Sequence, residues 1–196
     1  SGLAALRADA VPESFWASLS AAMTAGVTPV LIDVFLQSAR KLADDKLPAQ
    51  IAVSWDQVNV RAQRWASRYS FELVKGVTDT SRDRLRELVA GFAERPDVDL
   101  RGLGREIAGV FGRSRGDMIA ITEVTRASAQ GELALADEVR AENPRARVLT
   151  IWLTSQDELV CPVCGPRHGK ARGDGWSEPP PAHPNCRCAL GTDFAL

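Results

Sequence analysis

The feature that most constrains this chain is where its cysteines and histidines fall. All four cysteines and both histidines lie between Trp152 and Leu190, a stretch that opens Trp-Leu-Thr-Ser-Gln-Asp-Glu-Leu-Val-Cys-Pro-Val-Cys and closes Pro-Pro-Pro-Ala-His-Pro-Asn-Cys-Arg-Cys. Four cysteines confined to one segment are a poor staple for a chain of 196 residues. As two close pairs they read as metal ligands in a reducing compartment, rather than as disulfides or unpaired thiols.

Cys161-Pro-Val-Cys164 has the spacing that lets two thiolates in one tight turn reach a single ion. His183-Pro-Asn-Cys186 repeats that geometry with an imidazole first, and in both turns a proline stiffens the position after the first ligand. Cys188 adds a fifth donor for four places. Thiolates with imidazole at tetrahedral spacing favour Zn²⁺ over oxygen-seeking Mg²⁺ or Ca²⁺. The first-choice set is Cys161, Cys164, His183 and Cys186, with Cys188 replacing His183 or Cys186 in the alternatives. With so many soft donors no position is left for water, so the expected site is closed and structural. His168, alone on a Gly-rich turn, is expected to be a solvated side chain.

Upstream, hydrophobic spacing of three and four predicts helices. The first covers Val11 to Thr24 with Phe15, Trp16, Leu19 and Met23, and Gly26 interrupts it. The second runs Pro29 to Leu47, closed by Pro48. Ser54 N-caps a third that reaches about Lys75 and ends at Gly76. Thr80 with Asp83 resembles a capping box for a fourth, carrying Leu85, Leu88, Val89 and Phe92 and stopping before Pro96. Asp99 caps a short helix with Leu100, Leu103, Ile107, Val110 and Phe111 inward, and Gly112 breaks it. A helix from about Asp117 to Glu142 is rich in small residues, among them Ala127, Ser128, Gly131 and Ala134, a surface that admits a close neighbour. Val148 to Leu153 is β-branched and aromatic and reads as a strand; Leu190 to Leu196 has no assignable pattern.

The fold class expected is α+β and predominantly helical: a helical body over residues 1–112, and a small C-terminal strand and zinc-ribbon-like lobe over 113–196. A formal net charge of −1 announces neither nucleic acid nor an anionic membrane. No unbroken apolar run approaches the length of a bilayer span and no signal peptide is visible, so no membrane partner is expected. The chain opens Ser1-Gly2 without an initiator methionine, as a trimmed product would.

No catalytic residues are assigned. Glu123, in Ile-Thr-Glu-Val-Thr, reads as a surface charge or a partner of Arg126 or Arg115 rather than as a catalytic carboxylate. Arg82, Arg84, Arg86 and Arg95 alternate with Asp79, Asp83, Glu87 and Glu94, a mixed solvated face rather than a phosphate grip. The five tryptophans are scattered and belong to core or interface.

The order of these motifs carries a family likeness. Ile119 to Ala127 (Ile-Ala-Ile-Thr-Glu-Val-Thr-Arg-Ala), the Trp152 strand, Thr154 to Asp157, Cys-Pro-Val-Cys, Gly169 and the terminal His-Pro-Asn-Cys-Arg-Cys strongly resemble the Mu F-like head morphogenesis proteins, or minor head proteins, of tailed bacteriophages. The likeness is firm from Arg113 to Leu190 and diffuse upstream. It implies a non-enzymatic minor capsid protein inside the virion head, near the portal, acting in assembly or DNA delivery after a cytoplasmic stage in the host. The implied partners are the portal or major capsid protein and packaged DNA, with no small-molecule substrate. The motif positions carried over are Trp152, Asp157, Cys161, Cys164, Gly169, His183, Pro184, Asn185, Cys186, Arg187 and Cys188. Relatives vary at the first Cys pair and at the His183 position, which leaves the fourth ligand open. The same domain heads some phage toxins. Two rival classes are an ADP-ribosyltransferase-like domain using Glu123 and a zinc-ribbon nucleic-acid binder.

Overall fold

A computed structural model of the chain describes residues 11–93, 100–110 and 112–196. The features expected at Ser1-Gly2, Glu94 to Pro96, Asp99 and Phe111 lie outside them. The described residues form α1 (Glu13–Lys46), α2 (Trp55–Ala93), α3 (Leu100–Val110), α4 (Arg113–Glu142), β1 (Arg147–Leu153) and β2 (Ala189–Ala195). The fold is therefore predominantly helical with a small C-terminal sheet, as the sequence indicates.

Two expected breaks are absent. α1 runs through Gly26 and Pro29, and α2 runs through Gly76 and Thr80. An interior proline costs a helix about 3 kcal/mol. Downstream of Pro29, Leu31, Phe35, Ala39 and Leu42 are buried at spacings of three and four. Burying three such large side chains is worth about 1.5–3 kcal/mol each, so packing outweighs the proline. Gly76 costs only about 1 kcal/mol. The Thr80 hydroxyl donates to the Gly76 carbonyl at 2.7 Å, a bond made inside a helix and not by an N-cap. Ser54 does cap α2, its Oγ accepting from the Gln57 N–H at 3.4 Å.

No membrane-length run is expected from the sequence, yet α1 is long and apolar enough, by length and composition, to cross a bilayer. Interleaved Ser, Thr and Gly break the run without making the helix polar.

The chain forms two compact units, one of residues through Thr28 with Arg68–Asp117, the other of Pro29–Ser67 with Met118–Leu196. The chain passes between them three times, after Thr28, Ser67 and Asp117, and α1 and α2 each contribute to both units. In the first unit, Arg82 pairs with Glu13 and lies 5.2 Å over the Trp16 ring, while the Thr28 hydroxyl donates to Ser70 at 2.7 Å.

The second unit has two clusters. Phe35, Leu42, Val58, Ala62, Leu135 and Val139 pack the α1, α2 and α4 segments together. Gly131 is the closest approach: a Cβ there would stand 2.1 Å from the Phe35 carbonyl oxygen. That is the close neighbour the small residues of α4 allow. Buried Glu138 is held by Arg61 at 3.2 Å. The other cluster joins Ala129 and Leu133 of α4 to Trp152, Trp176, Cys164, Cys186, Cys188 and Leu190.

The tail that had no sequence assignment is β2. It pairs antiparallel with β1, from Arg147↔Ala195 to Leu153↔Ala189. The sheet thus brackets the whole cysteine segment, and the 168–172 loop runs along the other edge of β1, with Gly169 N–H donating to the Trp152 carbonyl at 2.8 Å.

Candidate metal centre

β1 delivers the chain into the first cysteine turn and β2 takes it away from the second. In the first turn, Cys164 and Gly165 N–H groups both donate to the Cys161 carbonyl at 3.1 and 3.0 Å. The Cys164 N–H also donates to the Cys161 sulfur at 3.3 Å, which favours its thiolate. The second turn is fastened to α4. The Asn185 N–H donates to Thr122 Oγ1 at 2.9 Å and Thr125 Oγ1 donates to the Cys186 carbonyl at 3.4 Å. Asn185 has a φ of +59° and Gly169 one of +73°, the left-handed region that Asn and Gly tolerate best.

These turns bring together all five expected donors, in two overlapping groups. Cys161, Cys164 and His183 form one, Cys164, Cys186 and Cys188 the other, each with donor atoms within 4.8 Å of one another. Cys164 belongs to both. All four cysteines are free thiols. Cys164 and Cys186 sulfurs are 3.8 Å apart, and His183 Nε2 is 3.1 Å from Cys161 Sγ and 3.5 Å from Cys164 Sγ. A tetrahedron with metal–sulfur bonds of about 2.3 Å and metal–nitrogen bonds of about 2.0 Å has edges of about 3.8 Å between sulfurs and about 3.5 Å from sulfur to nitrogen. The donor spacings suit such an ion.

The surroundings prepare the donors. His183 Nδ1–H donates to the Pro184 carbonyl at 2.8 Å, so Nε2 carries the lone pair that faces the thiols. Burial works against ionising Cys161, but the Cys164 and Val163 N–H groups and His183 outweigh it and bring the thiol down to about 7. Burial pushes Cys164 well above the usual thiol range, a cost that a bound cation would remove. The Trp152 indole N–H is buried with no oxygen or nitrogen acceptor among the described residues. It favours the thiolate of Cys188 against the burial that raises that group. An orphan donor beside a sulfur is what a metal-bound thiolate satisfies. The cavity among Leu159, Val160, the four cysteines and His183 is about 40 Å³, room for an ion and not for an organic substrate.

Across the two turns, Arg187 grips Asp157 with both guanidinium nitrogens at 2.9 Å. The two motif residues are therefore one clasp, and Arg187 holds the Asp157 carboxyl below its usual range. Trp152 is sealed by Arg167, 4.9 Å over its ring, and by Trp176 edge-on at 5.7 Å. His168 is outside both donor groups; its Nδ1 accepts from the Thr154 N–H at 3.1 Å and its Nε2 meets Gln156 at 2.7 Å. Glu123 pairs with Arg126 at 3.3 Å. Sequence reading missed Thr122, Thr125, Arg167 and Trp176 as parts of the site. The hydroxyl spacing on α4 was the one available signal.

A sheet-bracketed cluster of cysteine and histidine donors that could hold a metal ion, fastened to a small-residue helix, defines a predominantly helical α+β protein. The family model described as Phage Mu protein F like protein matches residues 76–191, and the chain belongs to that family. No curated protein and no solved structure matches it.

Proposed function

We propose that this chain is a minor head protein of a tailed phage or prophage, acting non-enzymatically inside the head near the portal during assembly or DNA delivery. The observation that carries this reading is the family match over residues 76–191, which joins α2 to β2 through the whole donor cluster. The cluster itself supports a structural role. Its donors are soft, its cavity admits an ion alone, and its outer partners orient ligands rather than hold a water. Zn²⁺ bound by Cys164 with three of Cys161, His183, Cys186 and Cys188 would cross-link the two turns. The partner surface belongs to the lobe and its helices.

Two measurements test the proposal. Purified full-length chain should carry about one zinc per molecule. It should also be retained by the portal or shell protein encoded beside it; retention by neither overturns the head-protein reading. The enzyme alternative needs a free carboxylate facing a nicotinamide pocket, and Glu123 is engaged by Arg126. NAD turnover that disappears in Glu123→Ala would reverse this.

A further inference from the structure

Beside β1 lies a second cavity in the same unit, a cleft of about 540 Å³. Ser38, Lys41, Leu42, Asp45 and Lys46 of α1 form one wall, Ser128 and Glu132 of α4 another, and Ile151, Leu153 and Gly191–Asp193 of the sheet the floor. Gly191 keeps the floor open, because a Cβ there would stand 2.9 Å from the Leu153 side chain and push it aside.

The charges in this cleft are unevenly satisfied. Lys41 is bound to Asp45 at 2.8 Å and Lys46 to Asp193 at 3.2 Å, so both cations on the rim are taken. The Ser38 hydroxyl is spent on Ser128 at 2.8 Å. Glu132, one helical turn from Ser128, has no hydrogen-bond or ion-pair partner among the described residues and opens into the cleft. Burial raises its carboxyl to about 7. The lining therefore offers one unpaired acid beside an apolar floor of Leu42, Ile151, Leu153 and Leu190. A hydrated metal ion would leave that floor bare, and a neutral apolar ligand would leave the acid unanswered.

We propose that this cleft is a binding site for an organic monocation, an ammonium or guanidinium on an apolar stem, with Glu132 as counter-ion. A lysine or arginine side chain of a partner protein and a free alkylamine share this chemistry. The proposal is independent of the head-protein reading.

The test uses the full-length chain labelled for carboxyl NMR and titrated with butylammonium, butylguanidinium and neutral butanol. A second arm compares a blocked Gly-Arg-Gly peptide with a free diamine. Both cations should shift the Glu132 carboxyl resonance where butanol does not, and Glu132→Gln should abolish binding while leaving the fold's spectrum in place. Because only the ionised acid attracts the cation, affinity at pH 8 should exceed that at pH 5 on the order of 100-fold, given a carboxyl value of about 7. Lys41, Asp45, Lys46 and Asp193 are the other charges lining the cleft. Peptide binding identifies a protein side chain as the source, and diamine binding alone a small amine. Equal binding of butanol, or cation binding that survives Glu132→Gln, overturns the site.

Discussion

Arg187 and Asp157 meet through two parallel bonds, a geometry lysine cannot copy. Arg187→Lys should loosen the join between the two cysteine turns, read as faster metal loss to a chelator with the helices intact. Asp157 has its proton affinity lowered by Arg187, so its contribution to stability is present above the ordinary carboxylate range and fades as pH falls below it. Glu132 runs the other way. Its carboxyl, raised from 4.5 to about 7, is comfortable protonated in the fold, so stability falls as pH climbs through that interval. The effect is at most about 3 kcal/mol. Glu132→Gln should flatten this slope in denaturant titrations at pH 4.5 and 7.5; an unchanged slope would contradict the burial of the acid. Among the donors, Cys164→Ser should weaken zinc or cobalt binding more than Cys161→Ser or Cys188→Ser, since Cys164 alone belongs to both groups.

Helices α1 and α4 touch where Gly131 lies against the Phe35 backbone. Gly131→Ala forces a methyl into a carbonyl oxygen, and should cost about 1–3 kcal/mol or more, visible as a lowered Tm with unchanged helix content. The small residues of α4 made this contact readable from the sequence, as Ser54, Pro48 and the β-branched run made the start of α2, the end of α1 and β1 readable. Gly26, Pro29 and Gly76 were misleading because local propensity is worth only about 1–3 kcal/mol, and the buried faces of α1 and α2 carry more. β2 was unreadable for a different reason. Ala-Leu-Gly-Thr-Asp-Phe-Ala has little strand character of its own and is a strand because β1 supplies its partners. That the four cysteines and His183 lie together was legible from their spacing. Their fastening to Thr122 and Thr125 was not, since it joins residues sixty or so apart in sequence.

Across the molecule, the cysteine lobe belongs to the unit of Pro29–Ser67 with Met118–Leu196, while residues through Thr28 with Arg68–Asp117 form the other. If the donors hold an ion, its removal should therefore act unevenly. Strong chelation should expose amides of residues 150–190 to hydrogen exchange and change the near-ultraviolet signal of Trp152 and Trp176. The far-ultraviolet helical signal should persist, and so should amide protection in the part of α2 beyond residue 68. Loss of all protection together would mean that the ion supports the whole fold.

The pairing of β1 with β2 also sets an order of events during synthesis. β1 leaves the ribosome well before its partner, because the five donors and the loop between them are made first. Until residues 189–195 emerge, one edge of the Trp152 strand is bare and its neighbouring thiols are open to oxidants and wrong metals. Strand pairing therefore follows the making of all five donors. Translation that stalls between Cys161 and Ala189 would leave the Trp152 strand with a bare edge and its neighbouring thiols exposed.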